Sequence, residues 1–285
     1  MSPGGVVGGS QGPRPAFRFL MNARVAAMEA SRGLHLMNLA HAAYSFGYAG
    51  GSIATGVMRQ AGWSPAWVLG TMVALAGLMA LLTIERDGRI EGLARPKTSA
   101  GRGLGWVPVI GGGMVFIAFL TENAAENWSA LHIEQTLGGS PAHGAMGPAT
   151  LALTMGVARL VGQGIAGRVR PVVLLTAGAL VSAVGAFAVA AAVTPWMAYA
   201  GFIVMGIGSS VIAPTAFSLV GSQAAPEARA RAVARATLFG YFGYFIGPPG
   251  FGFIAGSLGL RYAFVFAAVI LLLVPVLARI MARRG

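Results

Sequence analysis

Between Trp106 and Arg284 the chain runs through six long apolar stretches, with arginine clusters on every second connection. A helix needs about 17–25 apolar residues, at about 1.5 Å each, to cross the hydrocarbon core of a bilayer. The six stretches lie near residues 106–131, 146–166, 172–193, 196–220, 236–258 and 262–278, and two more precede them near 39–58 and 67–84. The pattern predicts an all-α, polytopic membrane helix bundle of about eight transmembrane helices, arranged as two, a polar loop, then six. Residues 1–16, rich in Gly and Pro, are expected to be a disordered tail. Residues 17–84 hold the first two spans, 85–105 form a central loop, and 106–285 form a six-helix bundle.

Composition agrees with a membrane setting. The chain is 56% hydrophobic and 10% charged, against about 25% charged for an ordinary soluble domain. Its formal net charge of +12 would suit a nucleic-acid ligand, but the placement does not. Apart from Arg159, the basic residues sit at expected helix ends and in loops, with no basic helix face and no aromatic ladder between them. Nucleic acid is therefore excluded as a partner. The absence of cysteine removes disulfides, thiol nucleophiles and thiolate metal sites. His35, His41, His132 and His143 have no metal-ligand spacing, so neither a metal nor a cofactor is expected. Gly250, Gly252 and Ala255 mimic a dinucleotide fingerprint, but they follow Pro248-Pro249 within an apolar span, with no strand before them.

The basic residues also give the orientation. Arg24 and Arg32, the five from Arg86 to Arg102, Arg168 and Arg170, Arg229, Arg231 and Arg235, and Arg279, Arg283 and Arg284 fall on one side. Only Arg59 and Arg261 fall on the other. The positive-inside rule then puts both termini and the central loop in the cytoplasm of a cell whose inner membrane holds the chain.

The candidate site residues are polar groups within spans. Glu122 and Glu126 lie four apart and share one face of the third span. Carboxylates at that depth are costly and mark an ion or solute path, unless an interface solvates them. Glu122 sits the deeper of the two, which favours it for coupling. Asn123 and Asn127 either bind a polar solute or brace a helix. His41 either relays a proton or bonds a backbone carbonyl. Ser45 and Tyr241 are further candidates for the lining of a cavity, together with Tyr48 and Tyr244. Arg159 is expected at a gate, with Arg168 in the following loop; the long stem of Arg159 could otherwise snorkel. Trp106, Trp128 and Trp196 read as interface anchors, and Gly243-x-x-x-Gly247 as a close helix contact. The seventh span is expected to be interrupted at Pro248-Pro249. Phe46-Gly47-Tyr48-Ala49-Gly50 is echoed by Phe239-Gly240-Tyr241-Phe242-Gly243 six spans later, as in proteins built of two related halves.

Four pieces together resemble the major facilitator superfamily. Met21-Asn22-Ala23 through Glu29 and Gly33, then His41-Ala42-Ala43-Tyr44-Ser45-Phe46-Gly47, looks like helix four running into helix five. Glu122 with Glu126-Asn127-Trp128-Ser129 is similar to the outer end of helix seven in a fucose-permease-like bacterial subgroup. Arg159-Leu160-Val161-Gly162 with Gly167-Arg168 resembles the loop between helices eight and nine, with Gln163 where that loop usually carries Asp. Gly247-Pro248-Pro249 with Gly252 and Ala255 looks like helix eleven. The resemblance implies helices 5–12 of a twelve-helix secondary transporter, truncated at its N-terminus. Such a protein moves a small solute by alternating access, commonly with protons as co-substrate. The alternative is a truncated, non-transporting membrane protein or an assembly partner. No nucleophile–base pair is available for a membrane enzyme.

Overall fold

The computed structural model describes residues 36–82, 104–166, 168–225 and 228–284. The expected tail, nearly all of the central loop and the side chain of His41 lie outside the described residues. The chain divides into two compact units, residues 1–39 with 85–96 and residues 40–84 with 97–285. The second holds all of the structure below, except for the opening residues of the first helix.

Every regular element among the described residues is a helix. They are α1 (Leu36–Gln60), α2 (Pro65–Leu81), α3 (Val107–Leu131), α4 (Pro141–Ala166), α5 (Pro171–Ala191), α6 (Pro195–Gln223), α7 (Arg229–Leu258), α8 (Leu260–Leu271) and α9 (Leu273–Arg284). A π-helical turn at His132–Thr136 extends α3, and α8 and α9 are parted only by Leu272. Proline opens α2, α5 and α6, where its missing N–H costs nothing and its fixed φ suits a first turn. The Thr194 side chain caps α6 by accepting from Met197 N at 3.3 Å. Gly259, at φ +100°, allows the turn from α7 to α8.

The centre of the unit is α3. It packs on α7, α6, α4 and α9, while α5 pairs closely with α6. Met114, Phe202, Met205, Phe251, Phe264 and Leu271 are fully buried between these helices. Large apolar side chains such as Val161, Val184, Phe245 and Phe253 point outward, the reverse of a water-soluble surface but suited to lipid. In α2 only Val68 is buried.

Among the described residues there are eight helical segments, with α8 and α9 taken as one, which match the expected number but differ in quality. Five are long and apolar enough to cross a membrane: Val107–Thr136, Pro141–Gly162, Pro171–Ala191, Pro195–Gln223 and Leu260–Arg283. Pro65–Leu81 is shorter, at 17 residues. With 25 and 30 residues, α1 and α7 have the length, but glycine, tyrosine and arginine dilute their apolar content. The expected interruption at Pro248-Pro249 is absent, and α7 is helical through both prolines. The pair removes two backbone donors. Close packing on α3 keeps the segment in line, and the Trp128 indole donates to the Pro248 carbonyl at 3.0 Å. Trp128 is thus a pin between α3 and α7.

Candidate functional site

Glu122 and Glu126 lie four apart on one face of α3, and Glu134 follows eight residues later in the π-helical turn. The helix is firmly set beneath the first two. Thr121 is buried, and its hydroxyl donates back to Ile117 O at 2.9 Å. The Asn127 amide donates to Asn123 O at 2.7 Å, and its other contact is Asn123 Oδ1 at 3.3 Å. The two asparagines therefore bond along their own helix.

Arg159 approaches from α4. Its Nη2 stands 3.4 Å from Glu122 Oε1, with side chains 27% and 12% exposed. An arginine within an apolar span is costly alone, and this carboxylate balances it. Glu126 lies within electrostatic reach of both Glu122 and Arg159, but it has no ion-pair partner of its own among the described residues.

Aromatic side chains close the cluster from α7 and α1. Gly243 and Gly247 bring the backbone of α7 onto α3; a Cβ on Gly247 would lie 2.8 Å from Leu120 O. Phe119 on α3 consequently stacks on Tyr244 and Tyr241, with centroids at 4.6 and 5.9 Å. Tyr244 is near enough to sense both carboxylates and Arg159. From α1, Tyr48 senses Glu126 and lies beside Tyr44, with centroids at 6.4 Å. Ser45 is buried against Gly156 of α4, where a Cβ would lie 2.8 Å from Ser45 Cβ.

The structure thus brings together Glu122, Glu126, Arg159, Tyr241 and Tyr244 from α3, α4 and α7, with Tyr48 of α1. Ser45 serves as a packing contact. Asn123 and Asn127 lie on the same segment of α3, where the Asn127 amide donates back to Asn123. Arg168 stands exposed in the turn after α4, with no ion pair among the described residues. The backbone of His41 lies in α1.

Two features escaped the sequence reading. Arg59, counted only for topology, forms a two-pronged pair with Glu134, Nη1–Oε1 at 2.7 Å and Nη2–Oε2 at 2.8 Å. The four- and eight-residue spacing of the three glutamates was the available signal. His132 is fully buried; its Nε2 lies 3.1 Å from Val189 O, and its ring packs on Phe264 with centroids at 5.1 Å. Nothing in the sequence marks that contact, which joins residues 57 apart.

Comparison with known proteins narrows the class of this bundle of apolar helices with carboxylates at its helix contacts. The profile of the Major Facilitator Superfamily matches residues 111–284, more than half of the chain. An uncharacterised MFS-type transporter of Yersinia pestis is 31% identical over 265 residues, covering 92% of this chain and 68% of the relative. An uncharacterised transporter of Sinorhizobium fredii is 27% identical over 275 residues, covering 90% and 69%. The chain belongs to the major facilitator superfamily and is a multi-pass membrane protein. Its fold is similar to that of the E. coli fucose:proton symporter FucP, with a TM-score of 0.55 at 18% identity. That likeness covers 76% of this chain and 54% of FucP, so the chain spans about half of the symporter's length.

Proposed function

We propose that the chain works as a secondary active transporter of a small solute in the inner membrane, by alternating access, with proton coupling through the Glu122–Glu126–Arg159 cluster. Both termini face the cytoplasm in this reading. Residues 106–285 act as the six-helix half, consistent with the family match over 111–284, and residues 17–84 act as two helices of the other half. The single observation that carries the proposal is the division of roles within the carboxylate pair. Glu122 is held by Arg159 at 3.4 Å, whereas Glu126 has no cation of its own among the described residues, with Tyr48 and Tyr244 within electrostatic reach. A carboxylate in a partly dry site with no fixed counter-charge is suited to taking up and releasing a proton. Geometry therefore favours Glu126 as the coupling residue, where depth along the span favours Glu122. Glu122, Arg159, Tyr44, Tyr48 and Tyr244 are the titratable or charged groups around it.

Proteoliposomes containing the full chain and an entrapped pH dye test this against a panel of small polar solutes. At least one solute is expected to drive proton entry, and Glu126→Gln to abolish that signal while leaving solute exchange measurable. A full proton signal in Glu126→Gln would remove Glu126 from the coupling role. No exchange of any solute by the native chain would favour the non-transporting alternative.

A further inference from the structure

A groove of about 350 Å³ runs along α1, walled on its other sides by Met72 of α2, Ala130 of α3 and Ala145 of α4. Its α1 side changes character in order. Arg59 stands at one end, Thr55 and Ser52 follow, and Gly51 and Gly47 end the run. From Arg59 to Gly47 the helix rises about 18 Å. Charge thus comes first, hydroxyls next and bare backbone last. At Gly51 and Gly47 an added Cβ would meet nothing within 4 Å, so that part of the floor is open. The groove is fixed by the seating of α1 on α4, where a Cβ on Gly56 would collide with Ala145 and Ser52 Oγ donates to Ala145 O at 2.8 Å.

Its surroundings say what it meets. Trp63 and Trp67 flank the turn just beyond Arg59, and both are exposed. Tryptophans of a membrane protein gather at headgroup level, which places Arg59 there and Gly47 within the hydrocarbon. Ile53, Val57 and Val73 are also exposed on α1 and α2, so this surface borders lipid. At the headgroup end a cation and an anion stand side by side. Arg59 and Glu134 pair at 2.7 and 2.8 Å, and the guanidinium keeps further donors for an outside acceptor. Together the two carry no net charge. The Thr55 hydroxyl makes no hydrogen bond among the described residues. A hydroxyl in an apolar setting is costly until it finds an acceptor.

We propose that this groove is a binding site for one zwitterionic phospholipid, a phosphatidylethanolamine. Its phosphate lies on Arg59, its ammonium at Glu134, an ester oxygen at Thr55 and an acyl chain along Gly51 and Gly47. The order of groups in the lipid is the order of side chains along α1. Phosphatidylglycerol offers the same phosphate and esters but nothing cationic for Glu134. The site is independent of any transport activity, so its test needs no solute. The full chain, purified in mild detergent, is equilibrated with equal amounts of phosphatidylethanolamine and phosphatidylglycerol, and retained lipid is counted by native mass spectrometry. One phosphatidylethanolamine is expected to persist, at about three times the occupancy of phosphatidylglycerol, an effect of the size an exposed ion pair gives. Gly51→Leu, which fills the open floor, is expected to lower that retention about tenfold. Thr55→Val, which keeps the shape and removes the hydroxyl, is expected to lower it about threefold. Arg59→Gln with Glu134→Gln is expected to abolish the preference between the two lipids. Gly250→Leu on α7, equally open and outside the groove, is expected to retain lipid as the native chain does. Equal retention of the two lipids by the native chain would overturn the proposal. So would phosphatidylethanolamine retention unchanged in Thr55→Val, which decides alone if Gly51→Leu does not fold. A native chain that retains no phospholipid would also overturn it and leave the groove to water.

Discussion

Glu122 and Glu126 are identical in type and one turn apart, yet their surroundings give them different work. Arg159 and Glu122 form a unit in a partly dry site, and taking one partner leaves an uncompensated charge. Glu122→Gln and Arg159→Gln are each expected to lower the amount of folded protein in the membrane, and the double replacement to restore most of it. Abundance and thermal stability in detergent for the four forms make the cycle. Additive losses would show that the pair is not coupled. Trp128 gives a second case. It donates to Pro248 O, and a Cβ on Gly252 would lie 2.8 Å from its ring. Trp128→Phe is expected to cost about 0.5–2 kcal/mol, the range for one interhelical hydrogen bond in a membrane protein. Unfolding of purified protein would measure it, and an unchanged midpoint would return Trp128 to the role of interface anchor. The candidate residues on α3 were visible in the sequence, because charge inside an apolar run is conspicuous. Their partners were not. Arg159 is 37 residues from Glu122, and which carboxylate it reaches depends on the rotation of α4 against α3.

Among the helices, the contact of α5 with α6 is the simplest to argue from sequence. Gly178 and Gly185 on α5 lie seven apart, as do Gly201 and Gly208 on α6. At Gly185 a Cβ would collide with Met205 N, and at Gly208 with Ser182 N, so backbone meets backbone. The buried hydroxyls of Ser182 and Ser209 bond across the contact at 2.7 Å. Lipid tails supply no hydrophobic drive between helices, so this close approach is what holds them. Gly185→Ala and Gly208→Ala are each expected to destabilise by about 1–3 kcal/mol through overpacking. Gly250→Ala, which meets nothing within 4 Å, is the control for α7 and is expected to be nearly neutral. Thermal unfolding in one detergent compares them, and equal effects at all three positions would refute the close-contact account. Helix ends were less legible. The apolar run of α3 fades near Leu131, but the π-helical turn carries it to Thr136 and so delivers Glu134 to Arg59. The proline pair of α7 gave a misleading signal, since local propensity favours a break and the packing of α3 overrides it.

For the whole molecule, the arrangement of basic residues makes a topology prediction that transport assays do not touch. Reporter fusions after Lys97, Arg170, Ala230 and Arg284 are expected to report the cytoplasm, and fusions after Gly62, Ser140 and Gly259 the outside. An outside signal after Lys97 would reverse the orientation. Arg59 and Arg261, the exceptions to the basic count, are both engaged locally. Arg59 holds Glu134, and Arg261 donates to Ala190 O at 2.8 Å at the end of α5. A charge with a fixed partner at a helix end is a structural feature, which is consistent with their standing against the general asymmetry.

By itself the sequence determined that this is a multi-spanning helical protein and, among the described residues, roughly where its helices fall. Those properties follow from transfer free energies summed along about 20 residues at a time, and each segment carries its own. It also marked Glu122, Glu126 and Arg159 as costly, because the penalty for a charge in an apolar span needs no partner to be read. Tertiary structure alone decided that Arg159 settles on Glu122, that Tyr48 and Tyr244 come within electrostatic reach of Glu126, and that Arg59 meets Glu134 across 75 residues of chain. Each of these depends on how one helix is rotated and seated against another. That seating is set by small contacts at Gly56, Gly144, Gly156 and Gly243, whose geometry exists only once the helices have packed.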